Sequence, residues 1–153
     1  MLLAGEYLVL AQSPDPENVY TGSPSLAQLA GGRLVASYEW FRPGPIWERI
    51  PDQTDVLVSD DDGAKWRNVA ALDFIWPSLF VVGDTLYIIG NRRASRDICV
   101  ARSSDGGESW SDMVNLFEGR YHCAPTHVLL RRDFVYRAFE TCSGPRSDWR
   151  SLV

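Results

Sequence analysis

The chain has 153 residues, six Trp, 12% aromatics and a formal net charge of −5. That length is enough for one domain with a real hydrophobic core. The acidic balance and the lack of a basic stripe weigh against nucleic-acid binding by phosphate neutralisation. No apolar run approaches the length of a membrane span.

In chain order, the first segment is MLLAGEYLVLAQSP. It lacks a basic n-region, and Glu6 interrupts its apolar run, so it does not read as a signal peptide. Tyr7–Ala11 reads as a strand. Beyond it, no stretch holds a helical period, while turns rich in Gly, Asp and Pro recur between short apolar runs, the pattern of an all-β protein. Strands are expected near Ser25–Leu29, Leu34–Glu39, Asp55–Ser59 and Lys65–Ala70. A second set is expected near Ser78–Val82, Leu86–Asn91, Asp97–Arg102 and Ser109–Asn115. A third set begins near Thr126–Leu130 and Phe134–Glu140, with one more strand near Trp149–Val153.

Two turns within this plan share one skeleton, Ser-x-Asp-x-Gly-x-x-Trp. The first is Ser59, Asp61, Gly63 and Trp66, and the second is Ser103, Asp105, Gly107, Ser109 and Trp110. An Asp in a tight turn accepts hydrogen bonds from backbone N–H groups a residue or two ahead, and Gly supplies positive φ. The Trp covers the turn and offers its single N–H. Calcium binding by Asp60, Asp61 and Asp62 is the alternative, but the turn alone is too short to supply six or more oxygens. The turns lie about 44 residues apart, the period of one propeller blade. A second frame opens at Pro24, Pro77 and Pro125, each followed by an apolar run, a turn and an alternating strand. The expected fold is therefore all-β, a partial β-propeller in one domain over 1–153. Residues 1–22 lead in, 23–70 form blade one, 76–115 blade two and 124–153 an incomplete third, about two and a half four-stranded blades in all.

The two turns resemble the Asp-box of the sialidase (neuraminidase) superfamily, the BNR repeat, and the resemblance extends over most of the chain. It implies a six-bladed parent of which this chain is a fragment, with Tyr7–Ala11 closing the ring as an outer strand. It also implies an extracellular or periplasmic parent. An arc this short leaves strand edges open, so the chain is read as truncated, as one piece of a longer protein, or as a protomer that completes its ring with a copy of itself.

Strand parity locates the function. In a four-stranded antiparallel blade the Asp-boxes and the A–B turns share one end, and the B–C and D–A connections share the other. The family's site lies at the second end. There the chain offers Glu39, Trp40 and Arg42 from blade one, Trp76, Asn91, Arg92 and Arg93 from blade two, and Tyr121, His122 and Glu140 from blade three. Aromatic faces stack on sugar rings, and amides, carboxylates and guanidinium groups bond their hydroxyls. Glu39 and Glu140, at equivalent positions, are the candidate acid and base, as glycoside hydrolysis requires a carboxylate pair. The other eight are candidate substrate contacts.

The chain departs from the family at Gly22, where an Arg for the substrate carboxylate is expected. It departs again near Trp47, where the acid/base Asp is missing. The resemblance thus implies a sialidase-like glycoside hydrolase without carrying sialic acid specificity, and a segment inactive by itself. A non-catalytic glycan- or protein-binding propeller and a purely structural use of the repeat are the alternatives. The expected partner is a glycan or oligosaccharide, with no nucleic acid, no membrane, no metal and no cofactor. Self-association through open blade edges is a further expectation. Cys99 is expected to pack as a small apolar residue. If a hairpin turns at Arg132–Asp133, Cys123 and Cys142 fall opposite each other, at a separation a disulfide can span.

Overall fold

The computed structural model describes residues 7–42, 53–122, 126–142 and 149–152. Among the described residues there are thirteen strands and no helix, hence none able to cross a membrane. The first sheet holds β1 (Tyr20–Gln28), β2 (Leu34–Phe41), β3 (Gln53–Ser59) and β4 (Arg67–Leu72), antiparallel neighbours in that order. The second repeats it with β5 (Phe74–Val82), β6 (Thr85–Arg92), β7 (Ile98–Ser103) and β8 (Val114–Phe117). A third unit holds β9 (Tyr121–His122), β10 (Leu129–Arg131), β11 (Phe134–Tyr136), β12 (Phe139–Cys142) and β13 (Trp149–Leu152). In it, β10 and β11 form a hairpin, and β12 lies between β13 and β9. Meander sheets packed face to face, with their first strands β1 and β5 side by side, form part of a β-propeller.

Side-chain alternation explains the packing. Val35 pairs with Val58, and Val56 lies two residues along on the same face. This face meets Phe74, Leu79, Leu86, Ile88, Cys99 and Ala101 of the second sheet. The opposite face of the second sheet carries Ile89 and Ile98, which pack on Val128 and Phe139 of the third unit. Because the second sheet is covered on both sides, Leu86–Asn91 reads as a nearly continuous apolar run and not as a strict alternation. Phe74, Leu86, Ile88 and Ile98 are fully buried, each stabilising the fold by about 1.5–3 kcal/mol.

The two predicted turns adopt one hydrogen-bond pattern. Ser59 Oγ donates to Asp61 Oδ1 at 2.9 Å and accepts from Gly63 N–H at 2.9 Å. Asp61 Oδ1 also accepts from Lys65 N–H at 2.8 Å, and Trp66 Nε1–H donates to the Gly63 carbonyl at 2.9 Å. The second turn matches bond for bond, through Ser103–Asp105 at 2.7 Å, Gly107–Ser103 at 2.8 Å, Ser109–Asp105 at 3.0 Å and Trp110–Gly107 at 3.0 Å. Ser109 Oγ adds a further bond to Asp105. The Asp thus clasps the N–H four residues ahead, farther than a simple Asx turn reaches. Gly63 and Gly107 do take positive φ, 87° and 97°. Asp60 faces Arg33, 2.6 Å away, and Asp61 points into its own turn.

Several strand limits differ from the sequence plan. β1 and β5 do not start after Pro24 and Pro77 but run through them, beginning at Tyr20 and Phe74. Proline has no N–H for the ladder, so it is tolerated here only because the ladder breaks. Pairing shifts between Gly22 and Ser25, and again between Ile75 and Ser78, each a β-bulge. In the third unit the hairpin turns at Arg132–Asp133 as expected, with Leu129 opposite Tyr136. Past a break the register slips, and His122 pairs with Glu140 and Tyr121 with Thr141. The expected facing of Cys123 and Cys142 assumed one unbroken register. Cys123 itself lies outside the described residues, as does Trp47. Cys99 is free and buried, as expected of a small apolar residue. Tyr7–Ala11 is not a strand, because no described edge pairs with it, and Tyr7 is 92% exposed.

Candidate functional site

Register separates the two ends of the sheets. Leu34 pairs with Ser59 at the turn end, and Trp40 with Gln53 at the other. The candidate site lies at the second end and is built by the bulges. In each of the first two sheets the residue before the proline takes positive φ, 49° at Ser23 and 52° at Trp76. Such angles strain a residue with a side chain, and a bulge re-aims that side chain.

Glu39 is 3% exposed and ties these two bulges together. Its Oε1 accepts from Ser23 Oγ–H, and its Oε2 accepts from Trp76 N–H at 3.3 Å. Burial pushes its carboxyl above the ordinary value of 4.5, against the opposing pull of those two donors and of Arg93 and Arg96. Asn91 occupies the equivalent place in the second sheet and links it to the third. Its Nδ2 donates to the carbonyls of Arg96 at 2.8 Å and Tyr121 at 3.0 Å. Glu140 of the third unit is more open, and its Oε2 lies 2.7 Å from His122 Nδ1.

The Trp76 indole joins these pieces. His122 stands edge-on to it with ring centroids 4.2 Å apart, and the Arg96 guanidinium carbon lies 4.7 Å from the ring centre. Desolvation lowers the Arg96 pKa, with the like charge of Arg120 adding to it and Glu39 opposing. The cluster therefore presents a half-buried aromatic ring, a guanidinium and a histidine–carboxylate pair. Such groups can stack on a sugar ring and bond its hydroxyls.

Among the sequence candidates, Glu39, Trp76, Asn91, Tyr121, His122 and Glu140 are brought into one contiguous cluster. Arg93 lies close by, 2.6 Å from Asp73 and near enough to act on Glu39. Trp40 belongs to the opposite face of β2, where its Nε1–H donates to Asp55 at 2.8 Å. Arg92 turns outward to Asn115 and the Met113 carbonyl. Arg42 is exposed at the end of β2. Alternation along a strand sends adjacent residues to opposite faces, so Glu39 and Trp40, or Asn91 and Arg92, cannot both face the cluster.

Sequence reasoning missed Arg96 and Arg137. Arg137 is 5% exposed and reaches from the third unit to the Ile89 carbonyl at 2.7 Å and the Trp76 carbonyl at 3.4 Å. The available signal was a charged residue in the otherwise apolar run FVYRAF. A cleft of about 530 Å³ lies elsewhere, between residues 8–11 and β1–β2, with Leu10, Pro24, Leu26 and Ala36 in its wall.

No family model matches the chain, and no curated protein matches it. Solved structures do. An α-L-arabinanase of Penicillium chrysogenum in complex with arabinobiose is 18% identical, with a TM-score of 0.57 over 82% of this chain and 41% of that one. An α-L-arabinofuranosidase of Fusarium graminearum with arabinobiose is 15% identical, with a TM-score of 0.55 over 82% and 40%. A protein of unknown function from Dyadobacter fermentans is 15% identical, with a TM-score of 0.50 over 78% and 57%. The shared fold is the β-propeller, and the chain spans about two-fifths of the length of the two arabinobiose-bound neighbours.

Proposed function

We propose that this chain is a segment of a propeller glycoside hydrolase of the sialidase type that acts on glycans, and that the segment binds sugar without turning it over. The Ser-x-Asp-x-Gly-x-x-Trp turns are then Asp-boxes, each a hairpin clasp at the end remote from the sugar. One observation carries the reading. A half-buried Trp76 is bordered by Arg96, His122 and Glu140 at the end opposite the clasps. Two propeller neighbours captured with arabinobiose support a glycan as ligand.

Within this reading Glu140 is the carboxylate that meets the sugar, with His122 fixing its orientation. Glu39 has both oxygens engaged and is shielded from solvent, so it holds the bulges in place instead of meeting substrate. Of the two glutamates only Glu140 is then open, whereas glycoside hydrolysis needs two carboxylates across the bond. That specific observation favours the second reading, a non-catalytic glycan-binding Asp-box propeller.

Titration with arabinobiose and 3′-sialyllactose, followed by tryptophan fluorescence, tests sugar binding. Saturable quenching, lost in Trp76→Ala, is expected. No response to either sugar would sink the glycan reading. A panel of fluorogenic glycosides separates the two readings, with turnover abolished by Glu140→Gln expected only for the hydrolase, in a protein that carries the whole propeller.

A further inference from the structure

We propose that Arg137 and Glu39 act as a pair of positioning residues that hold Trp76 from both sides, and so set the orientation of its ring. The role of that ring in sugar contact rests on the reading above; the clamp itself does not. Trp76 sits at φ 52°, a conformation that costs a bulky residue and persists only when its surroundings over-determine it. Both ends of the residue are held by charged side chains from other sheets. Its N–H donates to Glu39 Oε2 of the first sheet at 3.3 Å. Its carbonyl accepts from Arg137 Nη2 of the third unit at 3.4 Å.

Both clamp residues are buried, at 3% and 5% exposure, where burying a charge is costly unless it is bonded. Arg137 is anchored independently, because its Nη1 donates to the Ile89 carbonyl at 2.7 Å. A guanidinium offers several donors in a fixed plane, so it bridges two carbonyls where a lysine ammonium cannot hold the same geometry. Ser23, the strained residue at the same place in the first sheet, is held by Glu39 alone among these groups, through its hydroxyl. Trp76 is therefore the bulge residue gripped from both neighbouring sheets.

The test labels the full chain with 5-fluorotryptophan and follows the fluorine resonance of Trp76, assigned with Trp76→Phe. In Arg137→Met the Trp76 signal is expected to move or split, while the signals of Trp66 and Trp110 in the turns stay in place. Arg137→Lys is expected to fall between wild type and Arg137→Met, and it carries the test alone if Arg137→Met does not fold. Glu39→Gln is expected to move the same Trp76 signal. An unchanged Trp76 resonance in folded Arg137→Lys and Glu39→Gln overturns the clamp. Arabinobiose affinity should fall about tenfold or more in Arg137→Met, the loss of a charged hydrogen bond. If wild type binds neither arabinobiose nor 3′-sialyllactose, the glycan reading fails, and the fluorine signals still decide the clamp.

Discussion

The two ends of the sheets solve the same problem, closing a hairpin, in opposite ways. At the turn end each closure is local. Ser59–Trp66 and Ser103–Trp110 satisfy their own polar groups within eight residues, and the two copies agree bond for bond. What joins the copies is largely ionic and near the surface, with Arg33 between Asp60 and Glu108, and Arg67 on Glu108. Such pairs contribute little in water. At the site end closure is borrowed. Ser23 and Trp76 are strained, and the groups that hold them come from other strands and other sheets. Self-sufficient turns can repeat; borrowed ones diverge from blade to blade, as Glu39 and Asn91 do, each opposite the residue two before its proline.

The largest effect should come from the core that both ends share. Phe74→Ala is expected to cost about 3–5 kcal/mol in chemical denaturation, because the ring is fully buried between the first two sheets. A loss below 1 kcal/mol would show that the sheets do not depend on each other there. Next, Ser59→Ala and Ser103→Ala each leave a glycine N–H without its acceptor. Both serines are about as buried as core residues, and each change should cost about 1–3 kcal/mol. The two costs are expected to agree within about 0.5 kcal/mol, and a large inequality would show that the turns are not equivalent modules.

The smaller effects concern pH and have opposite signs at the two ends. Asp105 is held down to about 2, first by Ser109 through its hydroxyl and backbone N–H, then by Ser103. A depressed carboxyl stabilises the fold above its unfolded value of 3.8, and that contribution is lost as pH falls toward about 2. Asp105→Asn should flatten the acid limb of a stability profile. Glu39 is raised, so the folded state binds its proton more tightly than the unfolded chain. Its unfavourable contribution is absent below 4.5 and grows as pH rises through the folded value. Glu39→Gln should flatten that second slope. Profiles in which both substitutions alter the same limb would erase the distinction between the ends.

How much was legible follows the same division. The turns were read correctly in place and in residue, because Ser, Asp, Gly and Trp carry their partners with them. The reach of the Asp was underestimated, since the N–H it clasps lies four residues ahead. Strand order in the first two sheets and the hairpin at Arg132–Asp133 were also legible from alternation and turn chemistry, whereas the expected strand Phe134–Glu140 is divided between two sheets. The passage of β1 and β5 through their prolines was not, because a bulge needs a partner strand to define it. Trp40 and Arg92 were placed with the cluster by proximity in sequence, yet each lies on the face opposite to its neighbour. Arg137 gave only the faint sign of a charge within an apolar run.

The amino-acid order by itself determined the all-β class and the repeated clasps, since each depends on contacts spanning only a few residues. Only the tertiary structure decided that Glu39 is buried, that Glu140 is open and that Trp76 is gripped from both sides. Those outcomes depend on which sheet packs against which face, and on register shifts at Pro24 and Pro77 that no local pattern specifies.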